Sequence, residues 1–152
     1  MEDLSLHLLD IAENSLRAGA ELVEISIVED PDQDLLSLEV KDNGKGMTPD
    51  MCNKAVDPFF TTKDGRKIGL GLSLLAQAAK ETGGDFIVSS MPNIGTTVKA
   101  FFSLSHPDRK PLGDMASTLL TLAAGNPKVN FVYSHKKGAD SIRFDTRELK
   151  KP

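Results

Sequence analysis

The chain has 152 residues, of which 39% are hydrophobic and 26% charged, and its 18 Lys and Arg against 22 Asp and Glu give a formal net charge of −4. That length suits one domain with a sizeable core, the acidic balance offers no electrostatic footprint for wrapping nucleic acid, and no apolar run approaches the roughly 18 residues that a membrane span needs. The single Cys52 excludes an intrachain disulfide and no His/Cys cluster has zinc spacing, so any metal is expected to be a hard ion held by oxygen.

The start, MEDLSLHLLD, is acidic and lacks the basic region and cleavage site of a signal peptide, which makes a cytoplasmic location the expectation. Asp3 can cap a helix running to about Ala18, with Leu4, Leu8, Ile11 and Ala12 on its buried side and Gly19 as its stop. Two strands follow near Leu22–Val28 and Leu35–Lys41, joined by the acidic stretch EDPDQD. Thr48 then Pro49 opens a short helix to about Val56, and a polar, glycine-bearing loop runs from Asp57 to Gly69. GLSLLAQAAKETGG reads as a long helix stopped by Gly83 and Gly84, and DFIVSS with TTVKAFFSL as a strand pair around MPNIG. Past the joint HPDRKPLGD come a helix at roughly Met115 to Ala124 and a hairpin across HKKGAD. The elements alternate without clean βαβ units, so the expected fold is an α/β two-layer sandwich: a mixed, mostly antiparallel sheet covered on one face by helices.

Three groups of residues carry chemistry. On the first helix His7, Asp10, Asn14 and Arg17 lie on one polar stripe, which is either simply the wet face or a base, a metal ligand and a phosphate partner in register. One amide oxygen from Asn14 suffices for magnesium, which keeps waters and phosphate oxygens as its other ligands, and Asp10 could orient or deprotonate an attacking group. KDNGKGMTPD at the end of the second strand is an ordinary turn signal or a surface shaped for a ligand. Glycines at 44, 46, 65, 69 and 71 let backbone approach a ligand closely, and the pair at 69 and 71 opens a helix whose free N–H groups favour phosphate.

Taken in order, HLLDIAENSLRAGA, DNGKGM, DPFFTTK, GLGLSLL and GGDFIVSSMPNIGTTV resemble the N, G1, F and G2 boxes and closing strands of the GHKL superfamily, the Bergerat-fold ATPases. That superfamily includes gyrase B, heat-shock chaperones, mismatch-repair MutL proteins, sensor histidine kinases and anti-sigma-factor serine kinases. The resemblance covers about residues 4 to 104. It implies that Asp42 accepts a hydrogen bond from the adenine amino group, that Gly44 and Gly46 let the ring pack close, and that Met47 lines its apolar side. Asn14 matches the magnesium ligand, Arg17 a phosphate contact, and Asp10 the position where many members place a catalytic glutamate. Phe60 and Thr62 belong to the box that ends in Lys63, a triphosphate contact in kinases. Gly69, Leu70, Gly71 and Leu72 match the hinge over the phosphates, and Thr97 a polar neighbour of the adenine pocket.

The match is a mosaic, with a first box in mismatch-repair style and later boxes in histidine-kinase style. The resemblance implies an ATP- and magnesium-binding domain over residues 1–105, with 106–152 a helix-hairpin extension packed on it. The histidine-kinase-like boxes favour a stand-alone protein kinase catalytic domain that transfers the γ-phosphoryl group to a partner protein. The alternative is a conformational switch or slow ATPase that regulates its partner. A protein partner is therefore expected, either phosphoacceptor or regulated protein, with no nucleic acid and no membrane, and a homodimer is open.

Overall fold

The computed structural model describes residues 3–55, 70–107, 109 and 111–149. Its strands are β1 (Leu22–Asp30), β2 (Leu35–Asp42), β3 (Asp85–Met91), β4 (Gly95–Ser103), β5 (Asn130–Lys137) and β6 (Asp140–Asp145), and they form one sheet in the order β3-β4-β2-β1-β5-β6. Neighbours are antiparallel except β1 and β5, which run parallel. A parallel pair cannot be closed by a tight turn, and the chain between β4 and β5 supplies the needed crossover as α4 (Met115–Gly125). The fold is thus the expected mixed, mostly antiparallel sheet with helices.

Strand alternation decides the layers. Val23, Ile25 and Ile27 of β1, Leu36, Leu38 and Val40 of β2, Val98, Ala100 and Phe102 of β4, and Phe131 and Tyr133 of β5 are buried in one core. Their strand neighbours Glu24, Ser26, Glu39, Lys41 and Lys99 turn to the other face. Helix α1 (Leu4–Arg17) adds Leu4, Leu8, Ile11 and Ala12 to the same core, α3 (Leu70–Glu81) adds Leu72, Leu75 and Ala79, and α4 adds Met115, Leu119 and Leu122. The spacing of these residues is the 3.6-residue period of helices with one apolar stripe. The short helix α2 is Pro49–Ala55, with the Thr48 hydroxyl accepting from the Met51 N–H at 3.3 Å, and α5 is Thr146–Leu149.

The joint after β4 is tied into the start of α1. Asp3 caps the helix by accepting from the Leu6 N–H, and the next two free donors, the N–H groups of Leu4 and Ser5, reach the carbonyls of Pro111 and Leu112 at 2.8 and 3.0 Å. Two helix-end donors that local sequence cannot satisfy are thus met by residues more than a hundred positions away. The stretch between β1 and β2 is pinned from the far end of β4: the Asp34 carboxylate accepts from the Ser103 and Ser105 hydroxyls and the Ser105 N–H, each at 2.9 Å. Those donors hold its carboxyl below the usual carboxylate range.

One reading of the first helix is corrected. His7 does not belong to a wet stripe, because at 2% exposure it is buried in the body of the fold. Asp10 and Arg17 are exposed and Asn14 half-buried, so the polar stripe begins a turn later than its spacing implied.

Candidate functional site

A cavity of about 190 Å³ opens where the C-terminal half of α1 meets the ends of β2 and β4. Its apolar walls are Ile11, Val40, Met47, Met51, Leu72 and Val98, and its polar lining is Asn14, Ser15, Arg17, Asp42, Lys45 and Thr96. Asp42 is the last residue of β2 and pairs across the sheet with Thr96, so the two side chains point to the same face and stand side by side. Among the described lining residues Asp42 is the one carboxylate, while Arg17 and Lys45 supply two positive charges.

The Asp42 carboxylate is held from both sides. Ser15, 3% exposed, donates its hydroxyl to Oδ2 at 2.6 Å, and the Gly44 N–H donates to Oδ1 at 2.9 Å. Each oxygen keeps a free lone pair, so the group is oriented and can still accept from a ligand. The loop after Asp42 hugs the structure too closely for side chains. Gly46 sits at φ 71° and a Cβ there would lie 2.0 Å from the Met91 carbonyl oxygen, while one on Gly44 would meet the Ala18 Cβ at 2.8 Å. The loop is also clipped to the β3–β4 turn, since the Asn93 N–H donates to the Lys45 carbonyl at 2.6 Å and the Met47 N–H to the Ser90 hydroxyl at 2.7 Å.

Arg17 donates through Nη2 to the Asn14 side-chain oxygen across one helical turn. That oxygen is the donor a hard divalent cation would take, and among the described residues no group of three or more His, Cys, Asp or Glu could hold a metal. A single amide oxygen on the cavity wall suits magnesium, which takes its remaining ligands from water and phosphate. Asn14 therefore fits that ion.

Residues 2–106 match the family described as histidine kinase-, DNA gyrase B-, and HSP90-like ATPase. The chain belongs to this family. Among curated relatives, the sensor kinase CckA of Brucella abortus is 43% identical over 72 residues, covering 47% of the chain and 8% of that protein. A putative sensor histidine kinase NtrY-like protein of Rickettsia conorii is 29% identical over 110 residues, covering 72% of the chain and 18% of that protein. The chain thus spans only a small part of the length of these relatives. The Aquifex aeolicus MutL ATPase domain complexed with ADP superposes with a TM-score of 0.58 at 21% identity, over 95% of this chain and 64% of that one. The N-terminal domain of a DNA repair protein gives 0.64 at 18% identity, over 95% and 52%. At these identities the likeness concerns the fold.

Of the residues singled out in the sequence, Asn14, Arg17, Asp42, Gly46, Met47 and Leu72 all line the cavity, and Gly44 abuts the Asp42 carboxylate. Asp10 lies one turn before Asn14 on α1, exposed and outside the lining. Leu70 and Gly71 are the first residues of α3, whereas Phe60, Thr62, Lys63 and Gly69 lie outside the described residues. Thr97 lies outside this cavity and faces the other side of the sheet, where with Lys41, Asn43 and Ser89 it lines a second cavity of about 420 Å³ that Asp42, Ser90 and Thr96 also border. Strand alternation is the reason, and Thr96 is the residue that lines the first cavity beside Asp42. A signal for this was present, since counting back in twos from Phe102, Ala100 and Val98 lands on 96. Ser15, Lys45 and Ser90 were missed as well. Ser15 carried a signal too, being a hydroxyl on the apolar stripe of Leu8, Ile11 and Ala12.

Proposed function

We propose that the chain binds ATP with magnesium in the 190 Å³ cavity and acts as a protein kinase catalytic domain of the histidine-kinase-like type, passing the γ-phosphoryl group to a protein partner. The observation that carries this reading is the sorting of polar groups within one apolar cavity. An oriented carboxylate at its β2 end demands a hydrogen-bond donor, such as the amino group of adenine, while Asn14, Arg17 and Lys45 offer an oxygen ligand and two positive charges for phosphates. The apolar walls between them suit the faces of a base. Phosphoryl transfer asks a protein mainly for positioning and charge neutralisation. Magnesium, held by Asn14, would screen the phosphate oxygens, Arg17 would turn from Asn14 toward them, and Asp10 would orient the acceptor group. Residues 1–105 would carry the nucleotide, with 106–152 an extension on the same body, and the relatives' description as sensor kinases supports the kinase reading.

A nucleotide-dependent switch or slow ATPase is the second reading, favoured by the first box and by a fold likeness to a MutL ATPase domain that runs over 95% of the chain, extension included. Incubation with γ-labelled ATP, with and without cell extract, separates the two. Label on a protein supports the kinase, and free phosphate alone supports the ATPase. Absence of any ATP binding by calorimetry would refute both. No described helix is long and apolar enough to cross a membrane.

A further inference from the structure

Ser90, near the end of β3, does not line the nucleotide cavity, yet its hydroxyl meets three groups, two of them on Met47 and Thr96, which do line it. The Met47 N–H donates to Ser90 Oγ at 2.7 Å, the Gly95 carbonyl lies 3.1 Å away, and Thr96 Oγ1 lies 2.7 Å away. We propose that Ser90 is a positioning residue that commits the Thr96 hydroxyl to be an acceptor toward the cavity, so that Thr96 and Asp42 together select a base carrying an exocyclic amino group. The proposal rests on the nucleotide reading of the cavity.

A hydroxyl has one proton and two lone pairs, an amide N–H can only donate and a carbonyl can only accept. Ser90 spends one lone pair on Met47. Its proton has two candidate acceptors, and one choice uses all three contacts at once: Ser90 donates to the Gly95 carbonyl, and Thr96 donates to the remaining Ser90 lone pair. The reverse choice leaves the carbonyl of buried Gly95 without this donor and Ser90 with an idle lone pair. With its proton spent, Thr96 Oγ1 shows the cavity lone pairs alone. Asp42, its partner across the β2–β4 pair, is acceptor-only as well, its Ser15 and Gly44 donors pointing at it from the protein. The strand-end wall of the cavity is then an acceptor pair, which an amino group with two N–H donors satisfies and a base lacking that group leaves unpaired. The clip is indirect: Ser90 touches the loop, the β3–β4 turn and Thr96, and acts on the ligand only through Thr96.

Calorimetric titration of the full chain with ATP and with purine riboside triphosphate, which keeps the ring but lacks the amino group, tests this. Ser90→Ala frees the Thr96 proton to turn inward against the amino group, and the preference for ATP over the analogue is expected to fall about tenfold. Ser90→Thr, which restores a hydroxyl, should recover the preference. Thr96→Val should lower it directly, and adding Ser90→Ala in that background should change it no further. A Ser90 that merely stabilises the turn would weaken both nucleotides alike, so an unchanged preference in Ser90→Ala overturns the proposal, as does an unchanged preference in Thr96→Val. Wild-type protein that binds neither nucleotide overturns the nucleotide reading itself, and this inference with it.

Discussion

Cutting the chain after Ser105, where the sequence boxes end, removes α4, β5 and β6, and the structure predicts that the remainder will not fold as a cooperative unit. The loss is not confined to the deleted residues. Phe131 and Tyr133 of β5 stand beside Val23 and Ile25 of β1, and Met115, Leu119 and Leu122 share the core with Leu4 and Leu8. Leu4, Leu8, Val23, Ile25 and Ile27, each no more than 1% exposed, would lose part of their cover. Full burial of such a side chain is worth about 1.5 to 3 kcal/mol, so exposing roughly half of each of the five costs on the order of 4 to 8 kcal/mol. The N–H groups of Leu4 and Ser5 lose the carbonyls of Pro111 and Leu112, and β1 becomes a bare edge. Whole domains are stable by only about 5 to 15 kcal/mol. Denaturant unfolding of chain 1–105 followed by circular dichroism, beside the full chain, should show no sigmoidal transition. A shortened chain that unfolds cooperatively and binds ATP as the full one does would refute this account of a shared core.

Other outcomes are expected at the site and in the hairpin. Ser15→Ala removes one of the two donors that orient Asp42 while water replaces part of the loss, so ATP affinity measured by calorimetry should fall roughly fivefold, about 1 kcal/mol, with the fold intact. Gly46→Ala combines a φ of 71° with a Cβ 2.0 Å from a carbonyl oxygen, and backbone cannot yield as a side chain can; nucleotide titration should show a loss of more than about tenfold. The Arg147 guanidinium on Asp145 holds that carboxyl down to about 2. A depressed carboxyl stabilises the fold fully above its ordinary value near 3.8 and loses that contribution as pH falls toward about 2, so Arg147→Ala should move acid unfolding, followed by circular dichroism, to higher pH.

Most of this architecture is legible in the sequence because local signals and tertiary demands coincide. The alternation from Leu22 and from Leu35 and the apolar stripe of α1 are periodicities that the core then uses unchanged. Turn chemistry agrees as well: the break of HKKGAD falls at Gly138, whose φ of 59° favours glycine. The pairing of β1 with β5 is different. It joins residues 22–29 to 130–137 in parallel, and no local pattern encodes which distant strand lies at an edge. The burial of His7 follows from the same cause, because helical spacing gives a direction and not what lies in that direction. At the site, the boxes point to Asn14, Arg17 and Asp42, whose side chains face the cavity directly. They do not point to Ser15 or Ser90, which hold Asp42 and Thr96 in place, and a relation between two side chains 27 positions apart, Ser15 and Asp42, is visible only once the strand end meets the helix.

Asp10 is where the sequence departs from the pattern of its resemblance, and the structure sharpens what that departure means. It is exposed on α1 one turn before Asn14, about 6 Å along the axis, and is absent from the cavity lining among the described residues. An aspartate is shorter than a glutamate by one methylene, roughly 1.3 to 1.5 Å, and a base must come within about 3 Å of the proton it takes. Displacements near 1 Å can cost on the order of a hundredfold in rate. If water is the nucleophile, Asp10→Glu should therefore raise phosphate release, while transfer to a protein hydroxyl or imidazole, a larger group that reaches toward α1, should gain nothing. Asp10→Asn should keep ATP affinity, since the side chain does not touch the cavity, and lower turnover in either case. Single-turnover measurements separate these outcomes from binding. Phosphate release that is the same in Asp10→Asn as in the wild type would remove Asp10 from the reaction, and would leave positioning by Asn14, Arg17 and Lys45 as the whole of what α1 and its neighbouring loop contribute.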